Sequence, residues 1–472
     1  MGIGNKTLVD AVFHDTGLDA FLDGLKRNQG NTVSKETVAL VANSVEMTGL
    51  SVSRLDRMLE DERVRAEYGL GGSAPRSVYR TVERLGENMD SVVSFLADTM
   101  RRRYGVTMDT VFMDWTSMYF EAPQNDVVRV SYSRDHRSDR PQVTVGLSMD
   151  RSTGMPVGLT VNPGNILDVT HFSDTFGQIA PFLPDGAVIV FDNGAYSKDN
   201  SVAIDEAGYG FVTRLQLNKS DDRYIESHPD GWIPIDSDLS YMPLKGSKGR
   251  ARYIFRSEKR REELLHLYRS RAERDWNQME ELRSALEKGK KPRKKYRISN
   301  CFVDTRLSYR FPLQFSSKEE AVEHAVRNMV GGREGLFVLL TNRPFSAMHT
   351  LELYRSRNAV ETAFRDLKHG IDWRPARCTS ANAIRGRILV SFLALFCMSM
   401  VRFLYPKFRT RTAETMVEEL SSFSLTLIRR EDGRISRVFS NFGPIISALR
   451  GEKRPVPVPK APGQALIDSY RR

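Results

Sequence analysis

The sequence predicts an α/β protein, a mixed sheet flanked by helices, with a helical segment before it and a long charged insertion within it. Three observations predict this. Residues 1–105 carry apolar side chains at helical spacing. From Thr107 strand-like segments follow one another and then alternate with helices. Between residues 219 and 333 that rhythm stops and charged runs replace it. At 472 residues the chain also exceeds what one core usually organises, so several units are expected.

In the N-terminal segment, Val38, Val41, Ala42 and Val45 give residues 35–46 an apolar face. Gly49 breaks it, and Ser51 or Ser53 can cap a run over 54–60. Ser73 and Pro75 open a helix over 76–85 that places Arg76, Arg80 and Arg84 at i, i+4 and i+8. Such a face can lie along phosphates or enter a major groove. A solvated face on an ordinary helical bundle explains the same spacing.

Residues 110–120 are rich in β-branched and aromatic side chains, 127–133 alternate, and 142–149 and 157–161 return as strands around a turn at 151–154. A helix is expected over 165–182 with Asp168 as N-cap. The continuous apolar run 187–191, ending in Asp192-Asn-Gly194, reads as a buried central strand. A helix over 201–207 and a strand over 210–215 follow. Within the insertion, residues 256–287 predict a long charged helix. The stretch 288–297 holds Lys288, Lys290, Lys291, Arg293, Lys294, Lys295 and Arg297. It fits a solvated loop or a grip on a phosphate backbone. A strand over 335–341 precedes a helix over 348–369 closed by Gly370. The apolar run 388–401 is short for a bilayer and contains Ser391 and Ser399, so a buried core helix is expected. An amphipathic segment near 414–420 and an irregular Pro- and Lys-rich tail over 455–463 end the chain.

Apolar residues make up 40% and charged residues 27%, enough for a real core and a soluble surface. Lys plus Arg number 70 against 59 Asp plus Glu, a formal charge of +11 that favours a polyanionic partner and also fits a slightly basic enzyme. Cys301, Cys378 and Cys397 lack zinc or redox spacing and read as small buried residues in a reducing compartment. Residues 1–15 hold no uninterrupted apolar stretch, so a cytoplasmic protein without membrane association is expected. No Walker or dinucleotide glycine pattern is present.

Two aspartates stand out. Asp114 interrupts the apolar strand at 110–120, and Asp192 ends the run Val188-Ile-Val-Phe191. An unpaired buried carboxylate costs several kcal/mol, roughly, unless a partner compensates it. Two such groups close together need a cation, and a divalent metal suits hard oxygen ligands. On the helix that follows, Tyr354, Arg357, Glu361 and Lys368 fall at offsets 0, 3, 7 and 14. At about 100° per residue they share roughly one-sixth of the helix circumference. Leu353, Val360, Ala363 and Leu367 provide other faces to bury. Charge pairs on a solvated helix would give a similar stripe.

The spacing Tyr354-x2-Arg357-x3-Glu361-x6-Lys368 resembles the Y-(2)-R-(3)-E-(6)-K signature of DDE insertion-sequence transposases without departure. Asp114, within Met113-Asp-Trp-Thr-Ser, is similar to that family's first aspartate, and Asp192, within Phe191-Asp-Asn-Gly, to its second. The resemblance runs from about Thr107 to Val401. It implies an RNase H-like catalytic fold over 106–218 and 334–405, interrupted by an insertion domain over 219–333. A helical DNA-binding domain over 1–105 would precede it, and a helical region with a basic tail over 406–472 would follow. It implies that Asp114, Asp192 and Glu361 hold two Mg²⁺ ions, with Mn²⁺ able to substitute. Tyr354, Arg357 and Lys368 would contact phosphates near the transposon end. Double-stranded DNA is then the partner, both terminal inverted repeats and target, and a dimer assembles on it. Asn165 and Asp168 are candidates for the edge of the site, and His136, between Asp135 and Asp139, for a group behind the ligands. Trp232 and Trp276 are candidates for stacking a displaced base, with burial as the plainer role. The competing expectation is a domesticated, non-catalytic DNA-binding descendant, against which all three acidic residues and the full helical stripe are present.

Overall fold

The computed structural model describes residues 1–25, 33–45, 52–70, 77–120, 123–131, 139–245, 249–289, 315, 317–367 and 380–451. Contacts group the chain into two compact units. One comprises Met1–Thr213 with Glu352–Arg472, the other Arg214–Leu351.

The first unit is built on strands β1 (Thr110–Tyr119), β2 (Arg129–Val130), β3 (Pro141–Asp150), β4 (Pro156–Pro163), β5 (Val188–Phe191) and β6 (Gly210–Leu215). The order is β4–β3–β1–β5–β6, with the short β2 also on the outer edge of β3. β1, β3 and β4 form an antiparallel meander, while β5 and β6 run parallel to β1. This is the mixed sheet flanked by helices that the sequence predicts. Of the alternating run 127–133, the described residues pair over Arg129–Val130 alone. All four residues of β5 are buried, as a strand covered on both faces requires.

The helix Asp168–Ile179 packs on β3 and β4. Asp168 lies in its first turn; the N-cap position is Leu167, and no side chain caps it, so the expected capping role is not the one Asp168 takes. Beneath the sheet this helix closes a buried polar network. His171 lies 3.0 Å from the Thr144 hydroxyl and 2.9 Å from that of Thr160. The Trp115 indole donates to Thr175 Oγ1 at 3.0 Å. Gly146 opens the space for it, since a Cβ there would lie 2.6 Å from both Thr160 Oγ1 and Thr175 Oγ1. The helix at 198–206 starts earlier than expected because Ser197 caps it, accepting from the Asn200 amide.

The N-terminal helices do not stand apart. Ser77–Glu87 and Val33–Val45 pack on the apolar helix Ala381–Leu404. Gly86 and Gly386 form the crossing: a Cβ on Gly86 would meet Asn382 O at 1.8 Å, and one on Gly386 would meet Val82 O at 1.9 Å. Ala381–Leu404 is long and apolar enough to cross a membrane, but 83% of its apolar window is buried inside this unit, as expected of a core helix. Cys397 is fully buried there, and burial pushes its thiol pKa up. A helix at Ala413–Ser422, a hairpin and the helix Pro444–Gly451 complete the unit.

In the second unit, β7 (Ile233–Pro234), β8 (Leu239–Lys245), β9 (Ala251–Ser257) and β10 (Leu336–Thr341) form an antiparallel sheet in the order β7–β8–β9–β10. The long charged helix spans Glu258–Glu287 rather than starting at Arg256, because residues 251–257 are held as a strand by two neighbours. It packs against Lys318–Met329 through Ala272, Met279, Ala321, Val322 and Ala325. Trp276 packs on that cluster beside Phe315, which gives it a structural place. Trp232 lies under the Arg256 guanidinium at 4.5 Å and beside the cluster of Met242, Ile254 and Val338. The hairpin of the first unit, β11 (Ser424–Arg429) and β12 (Ile435–Ser440), turns at Gly433 with φ +82°.

Two predictions follow from this packing. Glycine to alanine inside a helix ordinarily stabilises by about 1 kcal/mol. Gly386→Ala should instead cost about 2–3 kcal/mol, because the methyl group meets backbone. A melting temperature at or above the wild type's would refute the crossing. Burial pushes the His171 pKa down to about 4, with Asp174 opposing in part. The unfolded chain, at about 6.5, therefore binds the proton first. Stability should be full above about pH 6.5 and fall by up to about 3 kcal/mol as pH drops toward 4. In His171→Gln, thermal melts across this range should show a shallower acid loss.

Candidate active site

Strand pairing creates the site. β1 and β5 are parallel with Phe112 opposite Val190, and each continues two residues to an aspartate, Asp114 and Asp192. Asp114 and Trp115 are consecutive on β1, so their side chains leave opposite faces of the sheet. Trp115 joins the buried network, while Asp114 points to the side where the helix Asn358–Arg365 packs on β1 and β3. Asp192 directly follows β5 and accepts from its neighbour's amide, Asn193 N–H, at 2.8 Å. The sharp turn after it passes close to the helix at 168: a Cβ on Gly194 would lie 3.0 Å from Asp168 Oδ2.

The expected single helix over 348–369 is two helices, Ala347–Ser356 and Asn358–Arg365, joined at Arg357. The Arg357 amide donates to Tyr354 O at 3.2 Å and the Val360 amide to Arg357 O at 3.0 Å. These three-residue spacings tighten the chain where the α-helical ladder is interrupted. Tyr354, Arg357 and Glu361 still reach one place. The Tyr354 hydroxyl donates to Asp192 Oδ1 at 2.9 Å. The Arg357 guanidinium is 3.2 Å from Asp114 Oδ2 and 3.9 Å from Asp192 Oδ2. It donates to Glu361 Oε1 at 2.6 Å. Its carbon also sits 5.6 Å from the Tyr354 ring centre.

Arg357 is 8% exposed. Burial works against its charge, but Asp114 first, then Tyr354, Asp192 and Glu361, outweigh that and hold its pKa above the ordinary value. In this structure Arg357 is the cation on which three carboxylates converge. Among the described residues no group of three His, Cys, Asp or Glu side chains is gathered tightly enough to hold a metal ion. The donor chemistry nevertheless fits one: three carboxylates supply hard oxygens, and one guanidinium leaves them with excess negative charge.

Other expected residues fall less centrally. Arg80 is exposed on its helix and Arg84 half-buried, opposite the packed face of Val78, Val82 and Leu85. Arg76, Lys368, Asp135, His136, Gly370 and the basic run from Lys290 to Arg297 lie outside the described residues. Asn165 is exposed, and Asp139 pairs with Arg140 at 3.4 Å. What the sequence did not show is the Tyr354–Asp192 hydrogen bond, which joins residues far apart in the chain.

An aspartate on β1, another just after the neighbouring parallel β5 and a glutamate from a helix thus meet around one guanidinium. Residues 106–397 match the family model described as the transposase DDE domain. The match covers well over half of the chain, which belongs to this family of DNA-cleaving and DNA-transferring enzymes. No curated protein matches the chain. Among solved structures, the piggyBac transposase in a synaptic complex with hairpin DNA is similar at 10% identity, over 89% of this chain and 79% of that one. Its TM-score of 0.44 is too low for anything to be carried across.

Tyr354→Phe keeps the ring and removes the bond to Asp192. It should lower stability by about 1–2 kcal/mol, as for a hydrogen bond to a partly exposed charged group. Denaturant melts of the two proteins check this, and equal midpoints would show that the bond contributes nothing.

Proposed function

We propose that this transposase is an insertion-sequence enzyme that cuts DNA at transposon ends and joins the ends to target DNA, using Mg²⁺ held by Asp114, Asp192 and Glu361. The observation that carries the reading is the convergence of these three carboxylates on Arg357 from distant segments, one on β1, one just after the adjacent β5 and one on a helix. Divalent metal is general among DDE transposases. Ions held by these carboxylates would supply activation of a water or a DNA 3′-OH and charge stabilisation at the leaving oxygen. Asp114 and Asp192 offer oxygens from the rigid sheet, and Glu361 offers one from a separate element. Tyr354 fixes the orientation of Asp192 through Oδ1. Arg357 and Lys368 are the cations for phosphate near the transposon end, Arg357 with a bidentate fork and Lys368 as a point charge.

Arg80 and Arg84, with Arg76, are proposed to hold terminal-repeat DNA. The enzyme works in the cytoplasm as a dimer on paired ends, since joining two ends needs two sites. Mn²⁺ is expected to replace Mg²⁺.

The test uses pre-cut transposon ends and supercoiled target in Mg²⁺. Glu361→Gln and Asp114→Asn should each lower joining by about 10³-fold or more while end binding stays near wild type. Joining by Glu361→Gln at the wild-type rate would sink the metal-site assignment. A wild-type protein that binds ends but neither cuts nor joins them would favour a non-catalytic DNA-binding role instead.

A further inference from the structure

One side chain carries two demands. Arg357 faces the three carboxylates proposed as metal ligands, and it is also the residue proposed to grip DNA phosphate. It cannot meet both in one position. We infer that Arg357 is an internal cation that holds Asp114, Asp192 and Glu361 in place of the divalent ion, and that it must withdraw from them before the ion binds. The inference rests on the reading of these carboxylates as metal ligands and adds to it a competitor and a positioning residue.

The geometry supports it in three ways. First, the guanidinium uses the oxygens an ion would need: Asp114 Oδ2 at 3.2 Å, Glu361 Oε1 at 2.6 Å and Asp192 Oδ2 at 3.9 Å. Three carboxylates brought together without a cation would repel one another, and Arg357 keeps them gathered. Second, the inward pose satisfies Arg357 incompletely. Its Nε is buried with no acceptor among the described residues. A phosphate oxygen pair accepts from Nε and a terminal nitrogen together, a geometry that the three separate carboxylates do not offer. Third, Arg357 stands at the joint between Ala347–Ser356 and Asn358–Arg365, where the α-helical ladder is already interrupted. Withdrawal of its side chain disturbs no continuous helix.

Two positive groups competing for the same oxygens are negatively coupled, and coupling of this kind is reciprocal. Loading of the carboxylates should release Arg357 toward phosphate, and DNA that takes Arg357 should favour loading. The sheet therefore does not wait as an open anionic hole; it waits closed on its own arginine.

The experiment uses the full chain without DNA. Mn²⁺ binding is measured by electron paramagnetic resonance for wild type, Arg357→Gln and Arg357→Lys, with Asp114→Asn as control. Arg357→Gln should bind Mn²⁺ about 10-fold more tightly than wild type, and Arg357→Lys, which keeps a charge, should fall between them. On the wild type alone, phenylglyoxal labelling of Arg357, read by peptide mass spectrometry, should rise when Mn²⁺ is added. Equal or weaker Mn²⁺ binding by Arg357→Gln overturns the inference. Should that variant not fold, unchanged labelling of Arg357 in Mn²⁺-bound wild type overturns it. Absence of any wild-type Mn²⁺ binding that Asp114→Asn removes overturns the metal-ligand reading and this inference together.

Discussion

A guanidinium that is 8% exposed can be kept charged in this molecule because three carboxylates face it. Neither side of that arrangement is stable alone. A buried cation without partners is costly to desolvate, and so are acidic groups crowded without a counter-ion. Much of the first unit can be understood as the scaffold that makes the encounter happen. β1 and β5 bring two aspartates to the same level of one sheet, and the broken helix brings the arginine and the glutamate to meet them.

Among the described residues, the polar network on the opposite face of the same sheet carries no ion pair of its own. There Trp115, Thr144, Thr160, His171 and Thr175 satisfy one another by hydrogen bonds, and the histidine is held uncharged. One strand thus separates two chemistries within a single residue step. Asp114 looks to an ionic cluster and Trp115 to a dry polar one. Alternation of side chains along a strand makes this division inevitable once the strand is placed. Anchoring Trp115 also restrains the backbone that carries Asp114, which suits a group whose oxygens must be presented at a defined place.

The helical N-terminal segment and the apolar helix Ala381–Leu404 form the other half of this support. Their backbones approach so closely at Gly86 and Gly386 that no side chain fits between them. The N-terminal helices are therefore packed into the same unit as the sheet that carries Asp114. The second unit carries the antiparallel strands β7–β8–β9–β10 and its own two-helix cluster, with a long charged helix.

The sequence by itself determined the elements with strong periodicity. The buried strand at 188–191, the core helix around 388–401 and the meander from 110 to 163 were legible because burial imposes a pattern that composition cannot hide. The spacing of Tyr354, Arg357, Glu361 and Lys368 pointed to the family that the domain match shows. The second unit's strands at 239–245 and 251–257 were not legible, because polar and charged residues interrupt them and cross-strand pairing holds them in place. The hairpin at 424–440 escaped for a similar reason, with most of its side chains exposed. Tertiary structure alone decided where Arg357 points. A spacing along a helix assigns residues to a face, but it does not say what that face meets. Arg357 meets Asp114 and Asp192, which lie more than a hundred and sixty residues away in sequence, and the carboxylates there outweigh the cost of burying its charge.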